Sequence, residues 1–418
     1  MDEQRGFDDV TRLSSAVETL REAATPLDRT ERLGLAAAER RVLATPLDAR
    51  RPVPHFRRAA MDGYAVRASD TFDATGRSPV TLDRFGVGAG SVASGQAQWV
   101  HTGSPLPNGA DAVVKVEETT RREDRVEVET AVAEGTNVAP VGEDVEAGQR
   151  LFEAGHRLRP SDLGLLKATG VGEVEVYERP TVGVVPTGDE LVEGDPGPGE
   201  VVETNGFTVS RYVERWGGTA TYRRIVPDDP AALRSAIQRD LTKDVVVTNG
   251  GSSVGKRDHL ADVIDDLGEV LFHGVAVKPG HPVGAGLVED TPVLMLPGYP
   301  VSTIVGAVQL LRPLLKRVGH LPPTEPPTTE ATLARKIPGE IGARTFARVS
   351  LDTGDGRGDD EGSGGDEHGE VVAEPTRASG AGVLSSVALA DGWVVVPESR
   401  EGIPAGETVA VEHWEYDE

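Results

Sequence analysis

The chain holds 418 residues, close to three domains at about 150 residues each, and its 68 Asp and Glu against 43 Lys and Arg leave a formal net charge of -25. An anion of this size repels nucleic-acid phosphates and anionic lipid headgroups, which excludes bulk DNA or RNA binding. Cysteine is absent, and with it go disulfide frameworks, thiolate zinc sites and cysteine nucleophiles.

Residues Val10 to Leu47 read as helix, turn, helix: Ala16, Val17 and Leu20 recur at helical spacing, Thr25-Pro26-Leu27 is a stop, and Leu33 to Val42 is rich in Leu and Ala. From Arg51 to about Val145 short β-branched runs (Ala112 to Val116, Val126 to Val132) alternate with Gly, Pro and Asn, the pattern of a small β unit. A helix from Ser161 to Thr169 follows Pro160 and is expected to pack back on the N-terminal helices, with the β unit inserted between them. From Pro180 to Arg317 strands and helices alternate (Thr181 to Pro186, Asn205 to Trp216, Ala220 to Val226, Pro230 to Leu241, Asp244 to Thr248, His259 to Leu267, Val293 to Leu296, Val301 to Val318), which predicts a parallel α/β sheet. A proline linker, Gly319 to Pro327, leads to a terminal β domain that contains Asp352 to Glu370, an acidic Gly-rich stretch expected to be a solvated loop.

The strongest local signal is Asp244-Val-Val-Val-Thr-Asn-Gly250-Gly251-Ser252-Ser253-Val-Gly255 ahead of a helix from His259. A buried strand opening into glycines and hydroxyls presents free backbone N–H groups to an anion; the alternative is a tight turn with no ligand. Gly250 to Lys256 also approaches a Walker A pattern, but Arg257 stands where the Mg²⁺-binding hydroxyl belongs, which speaks against a P-loop NTPase. Asp62, Glu190 and Asp258 sit at element ends. Each alone is a cap or turn residue, whereas together beside a phosphate they are the oxygen ligands that Mg²⁺ takes. The nine histidines show no H-E-x-x-H pair, so no histidine metal site is expected. Lys278-Pro-Gly-His281-Pro is either a plain turn or a place where a fixed lysine meets an anion.

Seven blocks in order resemble one family: Met61-Asp-Gly-Tyr-Ala-Val66, Thr102-Gly-Ser-Pro-Leu-Pro107 with Gly109 to Val113, Pro186-Thr-Gly-Asp-Glu-Leu191, Gly250 to Gly255 with Asp258, Lys278-Pro-Gly280, Leu296-Pro-Gly298 with Pro300-Val-Ser302, and Leu384-Ser-Ser386 with Asp391-Gly392. They are similar to the molybdopterin molybdenumtransferases, called MoeA in bacteria and archaea and represented by the E domain of gephyrin in animals. The resemblance implies a multidomain α/β homodimer. Its parts are a helical domain (1–50 and 146–178), an inserted β domain (51–145), a MoaB/MogA-like molybdopterin-binding α/β domain with a mostly parallel sheet (179–320) and a C-terminal β-barrel (321–418). It implies a transferase that cleaves the pyrophosphate bond of adenylylated molybdopterin with Mg²⁺, releases AMP and leaves molybdenum on the dithiolene sulfurs.

Carried onto this sequence, Gly250, Gly251, Ser252 and Ser253 form the phosphate cradle. The resemblance implies that Asp62, Glu190 and Asp258 order Mg²⁺ and the attacking water or oxyanion, with Asp62 reaching the cradle of the other subunit. Thr102, Lys278, His281, Arg348 and Ser379 complete the substrate and molybdate pocket. Two positions depart from the family: His281 replaces a second lysine, and Tyr299 replaces the asparagine of L-P-G-N-P. Substrate handover from an adenylyltransferase and product handover to molybdoenzymes are implied. The competing readings are the adenylyltransferase itself, which the α/β domain alone resembles, and a molybdopterin-binding scaffold without catalysis.

Only seven of the cations are lysine. Arginine-rich, carboxylate-rich composition suits a surface hydrated in concentrated salt, where repulsion is screened within a few ångströms. The acidic start Met1 to Val10 does not fit a secretory signal, and no apolar run approaches the roughly 18 residues of a membrane span. A halophilic, cytoplasmic protein without membrane or nucleic-acid partners is the expectation.

Overall fold

The structure, a computed structural model, describes residues 10–86, 90–250, 259–353, 371–376 and 380–416. Gly251, Ser252, Ser253, Asp258, Ser379 and the acidic stretch 354–370 lie outside the described residues. The chain forms two compact units, 32–176 and 1–31 with 177–418.

Helix α1 (Leu13–Ala23) buries Leu13, Ala16 and Leu20 on one face, the i, i+3, i+7 spacing of an amphipathic helix. That face joins the core containing Leu311, Leu314 and Leu315, and α1 belongs to the compact unit formed with residues 177–418. The second helix read at Leu33 to Val42 does not form. Only a 3₁₀ turn, Leu35–Ala37, is helical there, and Arg40 takes a left-handed backbone (φ 63°) that no α-helix accommodates.

In the unit 32–176, strands β1 (Gly63–Val66), β2 (Val80–Phe85), β3 (Gln96–Val100), β4 (Ala112–Lys115), β5 (Thr119–Arg122) and β6 (Arg125–Val128) form a sheet in the order β4-β1-β3-β2-β6-β5. Only the β2–β3 pairing is parallel. Val126 and Val128 alternate into its core with Tyr64, Leu82 and Val114. Helix α2 (Pro160–Ala168) starts with Pro160 in its first turn, and the patch around it buries Leu166 with Ala38, Leu43 and Leu158. Asp162 closes its N-terminus: it is 4% exposed, accepts the Arg159 N–H at 2.9 Å and guanidinium at 3.0 Å, and lies 2.8 Å from His156 Nε2.

Burial alone would raise the Asp162 carboxyl, but the hydrogen bonds from Arg159 and His156 outweigh it and hold it down at about 2. A carboxylate depressed on folding adds stability above its unfolded pKa, near 4, that is lost as pH falls toward about 2. Acid titration followed by circular dichroism is therefore expected to show stability lost between about pH 4 and 2 that Asp162→Asn no longer shows. Superimposable pH slopes would contradict this role.

In the second unit, β7 (Thr181–Pro186), α3 (Asn205–Arg215), β8 (Thr219–Tyr222), α4 (Pro230–Asp240), β9 (Val245–Asn249), α5 (His259–Leu267), β10 (Glu269–His273), β11 (Gly284–Val288) and β12 (Thr291–Leu296) follow in turn. The sheet order is β8-β7-β9-β12-β11-β10, parallel from β8 to β12 and antiparallel beyond. β9 reads Val-Val-Val because both faces are covered. Val245 and Val247 face α1, α3 and the C-terminal helices, whereas Val246 faces Ile237 of α4 and Ile264 of α5. Helix α6 (Pro300–Gly306) continues through a π turn into α7 (Arg312–Val318).

Strands β13 (Thr328–Leu333), β14 (Arg344–Asp352), β15 (Val372–Pro375), β16 (Gly392–Val396) and β17 (Thr408–Glu412) close into a five-stranded barrel, β14-β15-β13-β17-β16-β14. Closure leaves the barrel strands without free edges. The fold class is thus an inserted β sheet, a mostly parallel α/β domain and a C-terminal barrel. No helix among the described residues is long and apolar enough to cross a membrane.

Candidate active site

Strands β7, β9 and β12 are adjacent and parallel, so their C-terminal ends share one edge, with Pro186, Asn249 and Leu296 side by side. In an open α/β sheet this edge is where ligands sit. The exits are laced together: Thr187 N–H bonds to the Asn249 carbonyl at 2.9 Å, and Gly250 N–H to the Leu296 carbonyl at 3.0 Å. Gly250 has φ 111°, and a Cβ there would stand 2.0 Å from the Thr187 carbonyl oxygen, so no other residue fits without rearrangement. A Cβ on Gly298 would lie 3.5 Å from the Gly250 Cα. The backbone is therefore bare where the three strands end.

Asn249 is 1% exposed, yet neither its amide nitrogen nor its oxygen has a hydrogen-bond partner among the described residues. Buried amides are rarely left in that state. Carboxylates gather on the same edge. Asp189 Oδ1 accepts the Asp228 N–H at 3.2 Å. Burial pushes the Asp228 carboxyl above the usual carboxylate range, and the charges of Glu190 and Asp189 push it the same way. Asp228 was not singled out in the sequence. The available signal was the doubled acid in Pro227-Asp-Asp-Pro230: Asp229 caps α4 by accepting the Ala231 and Ala232 N–H groups, which leaves its neighbour without that structural task.

In the unit 32–176, Asp62 immediately precedes β1, and Thr102 follows β3. Asp62 Oδ1 accepts the Thr102 N–H at 2.6 Å and hydroxyl at 2.8 Å, and these bonds, the backbone one first, hold its carboxyl below the usual range. Its other oxygen lies 3.9 Å from His101 Nδ1. The Trp99 indole N–H points at His101 Nε2, 3.2 Å away; because indole only donates, Nε2 accepts and the ring proton sits on Nδ1, toward Asp62.

The basic positions are partly committed. Lys278 pairs with Glu340, and Val277–Lys278 runs parallel to Arg344–Thr345 at the start of β14. Arg348 is 7% exposed and reaches the Ser386 hydroxyl at 3.4 Å; burial lowers its pKa from the ordinary value. His281 Nδ1 lies 3.1 Å from the Val275 carbonyl within its own turn. That turn meets the start of α6, since a Cβ on Gly280 would be 3.4 Å from the Ser302 carbonyl. Val301 N–H in turn bonds to the Ala381 carbonyl at 3.1 Å.

Among the described residues no set of three or more His, Asp or Glu stands ready to hold a metal ion. The donor chemistry still suits Mg²⁺, which commonly takes one or two protein carboxylates and fills its remaining positions with phosphate oxygens and water. Glu190 and Asp228, the latter with a buried oxygen lacking a partner among the described residues, are donors of that kind.

A bare strand-exit edge is where open α/β proteins receive phosphorylated ligands. Residues 11–170 match the MoeA N-terminal region (domain I and II), 183–317 a probable molybdopterin binding domain, and 330–414 the MoeA C-terminal region (domain IV). A Haemophilus influenzae protein named molybdopterin molybdenumtransferase is 32% identical over 401 residues, covering 93% of this chain and 95% of that one. A Bacillus subtilis protein of the same name is 30% identical over 396 residues, covering 91% and 89%. The crystal structure of the molybdopterin biosynthesis MoeA protein from Pyrococcus horikosii superimposes with a TM-score of 0.80 at 32% identity, covering 98% of this chain and 100% of that one. The chain belongs to the MoeA family of molybdopterin molybdenumtransferases.

Proposed function

We propose that this protein completes molybdenum cofactor by inserting molybdate into adenylylated molybdopterin. Water cleaves the P–O–P bridge to give AMP and the terminal phosphate of molybdopterin, and molybdate forms two Mo–S bonds to the dithiolene as one of its oxygens leaves as water with the two thiol protons. The observation that carries the reading is the edge where β7, β9 and β12 end: bare backbone at Gly250 and Gly298, an orphaned Asn249 amide, and the Glu190–Asp228 carboxylates beside it. Backbone N–H groups of Gly250 to Ser253 bind the phosphates, Glu190 and Asp258 orient the attacking oxygen, and Thr102 fixes the Asp62 carboxylate. Lys278, Arg348, Ser379 and His281 form the oxyanion side. Glu190, Asp258 and Asp62 would hold magnesium, which would supply charge neutralisation during pyrophosphate cleavage.

In the homodimer we propose, Asp62 serves the cradle of the partner subunit. The protein works in the cytoplasm, receiving its substrate from an adenylyltransferase and passing the cofactor to molybdoenzymes. The test is incubation with adenylylated molybdopterin, Mg²⁺ and molybdate, following AMP. AMP release that requires molybdate is expected, and an inert substrate would overturn the reading.

The charge surplus adds a second expectation. Unscreened repulsion among the excess carboxylates should lower the thermal midpoint when KCl falls from about 3 M to about 0.05 M, because the screening length grows severalfold. An unchanged midpoint would count against salt adaptation.

A further inference from the structure

Tyr299, at the exit of β12, is 65% exposed, although a bare aromatic ring is not ordinarily left open to water at a ligand-binding edge. The backbone beneath it is fixed. Thr303, fully buried, donates its N–H to the Tyr299 carbonyl at 2.9 Å and its hydroxyl at 3.1 Å, and the Asn205 amide donates to the Gly298 carbonyl at 2.7 Å. Part of the ring faces Gly382, where a Cβ would be 3.5 Å from Cδ1. The rest is open.

Its place is informative. On one side, Gly298 adjoins Gly250 at the phosphate edge; on the other, Val301 is tied to Ala381, and Ser302 meets Gly280 of the Lys278 turn. Among the described residues, two other exposed rings of this unit border α3, and both have structural tasks. Tyr222 covers Gly206 and donates its hydroxyl to Glu203, and Phe207 lies under the Arg211 guanidinium.

We infer that Tyr299 is the platform on which the pterin ring system of the substrate stacks, between phosphates held at Gly250 and a dithiolene turned toward the Lys278 side. This rests on the function proposed above. Stacking of a planar heteroaromatic on an aromatic side chain accounts for roughly tenfold or more in affinity, and it needs the ring rather than the hydroxyl.

The experiment is calorimetric titration of the full-length protein and of Tyr299→Phe, Tyr299→Leu and Tyr299→Ala with two probes, molybdopterin and AMP, after thermal melts confirm that all four fold. Tyr299→Phe should bind molybdopterin within about twofold of the unsubstituted protein, and the leucine and alanine variants about tenfold more weakly. AMP should bind all four alike. Equal molybdopterin affinity in the alanine variant, a leucine variant as tight as phenylalanine, or a parallel loss of AMP affinity would overturn the platform while leaving the proposed function standing. Failure of the unsubstituted protein to bind molybdopterin would instead remove the function on which the platform depends.

Discussion

Asp62→Asn is expected to lower the rate of AMP release by about a hundredfold or more, with substrate affinity nearly unchanged. The amide keeps an acceptor oxygen for the Thr102 N–H and hydroxyl, which reach Asp62 at 2.6 and 2.8 Å, so the turn ahead of β1 survives. What disappears is the negative charge, on a group that Thr102 holds in its ionised form. An interaction used chiefly in the transition state shows in kcat more than in binding. Turnover at saturating substrate, read beside calorimetric affinity, separates the two effects. A variant that releases AMP at the full rate would remove Asp62 from the chemistry.

Gly250→Ala is expected to destabilise the α/β unit by about 3 kcal/mol, from left-handed strain and overpacking together, and to abolish phosphate-edge binding. The new methyl would stand 2.0 Å from the Thr187 carbonyl oxygen at a φ of 111°, and relief requires β7 and β9 to part at their exits. Gly194→Ala is the control. No heavy atom lies within 4 Å of an added Cβ there, so its thermal midpoint should stay near that of the unsubstituted protein. If Gly250→Ala melts with the control and binds molybdopterin normally, the exit edge is not the tight junction described.

Where burial is two-sided or a cap is explicit, the sequence was readable. β9 announces itself as Val-Val-Val because helices cover both faces, and α4 by Asp229-Pro230, its cap and first residue. β10 and β11 escaped notice. β11 reads Gly-Ala-Gly-Leu-Val, its glycines being required where a Cβ on Gly286 would lie 2.4 Å from Ile264 Cγ2, so local propensity points away from the strand that packing selects. Leu33 to Val42 misled in the opposite direction: Leu and Ala favour a helix, but the left-handed Arg40 and burial of Ala38 and Leu43 set another path.

From the sequence, Asp62 stood out as a carboxylate at an element end and Thr102 only through the family blocks; the hydrogen bonds that join them were not legible. Partners distant in sequence were not legible. The pairing of Lys278 with Glu340, the contact of Arg348 with Ser386, and the pressure of Glu190 and Asp189 on Asp228 all arise from tertiary placement.

The central claim is that molybdenum reaches the dithiolene on this protein. Its most direct measurement mixes the protein, Mg²⁺, adenylylated molybdopterin and molybdate, then adds a cofactor-free molybdoenzyme and records that enzyme's recovered activity against the AMP released. Activity rising in step with AMP, and absent when molybdate is withheld, is the expected result; AMP released with no recoverable cofactor, or neither product formed, would contradict it.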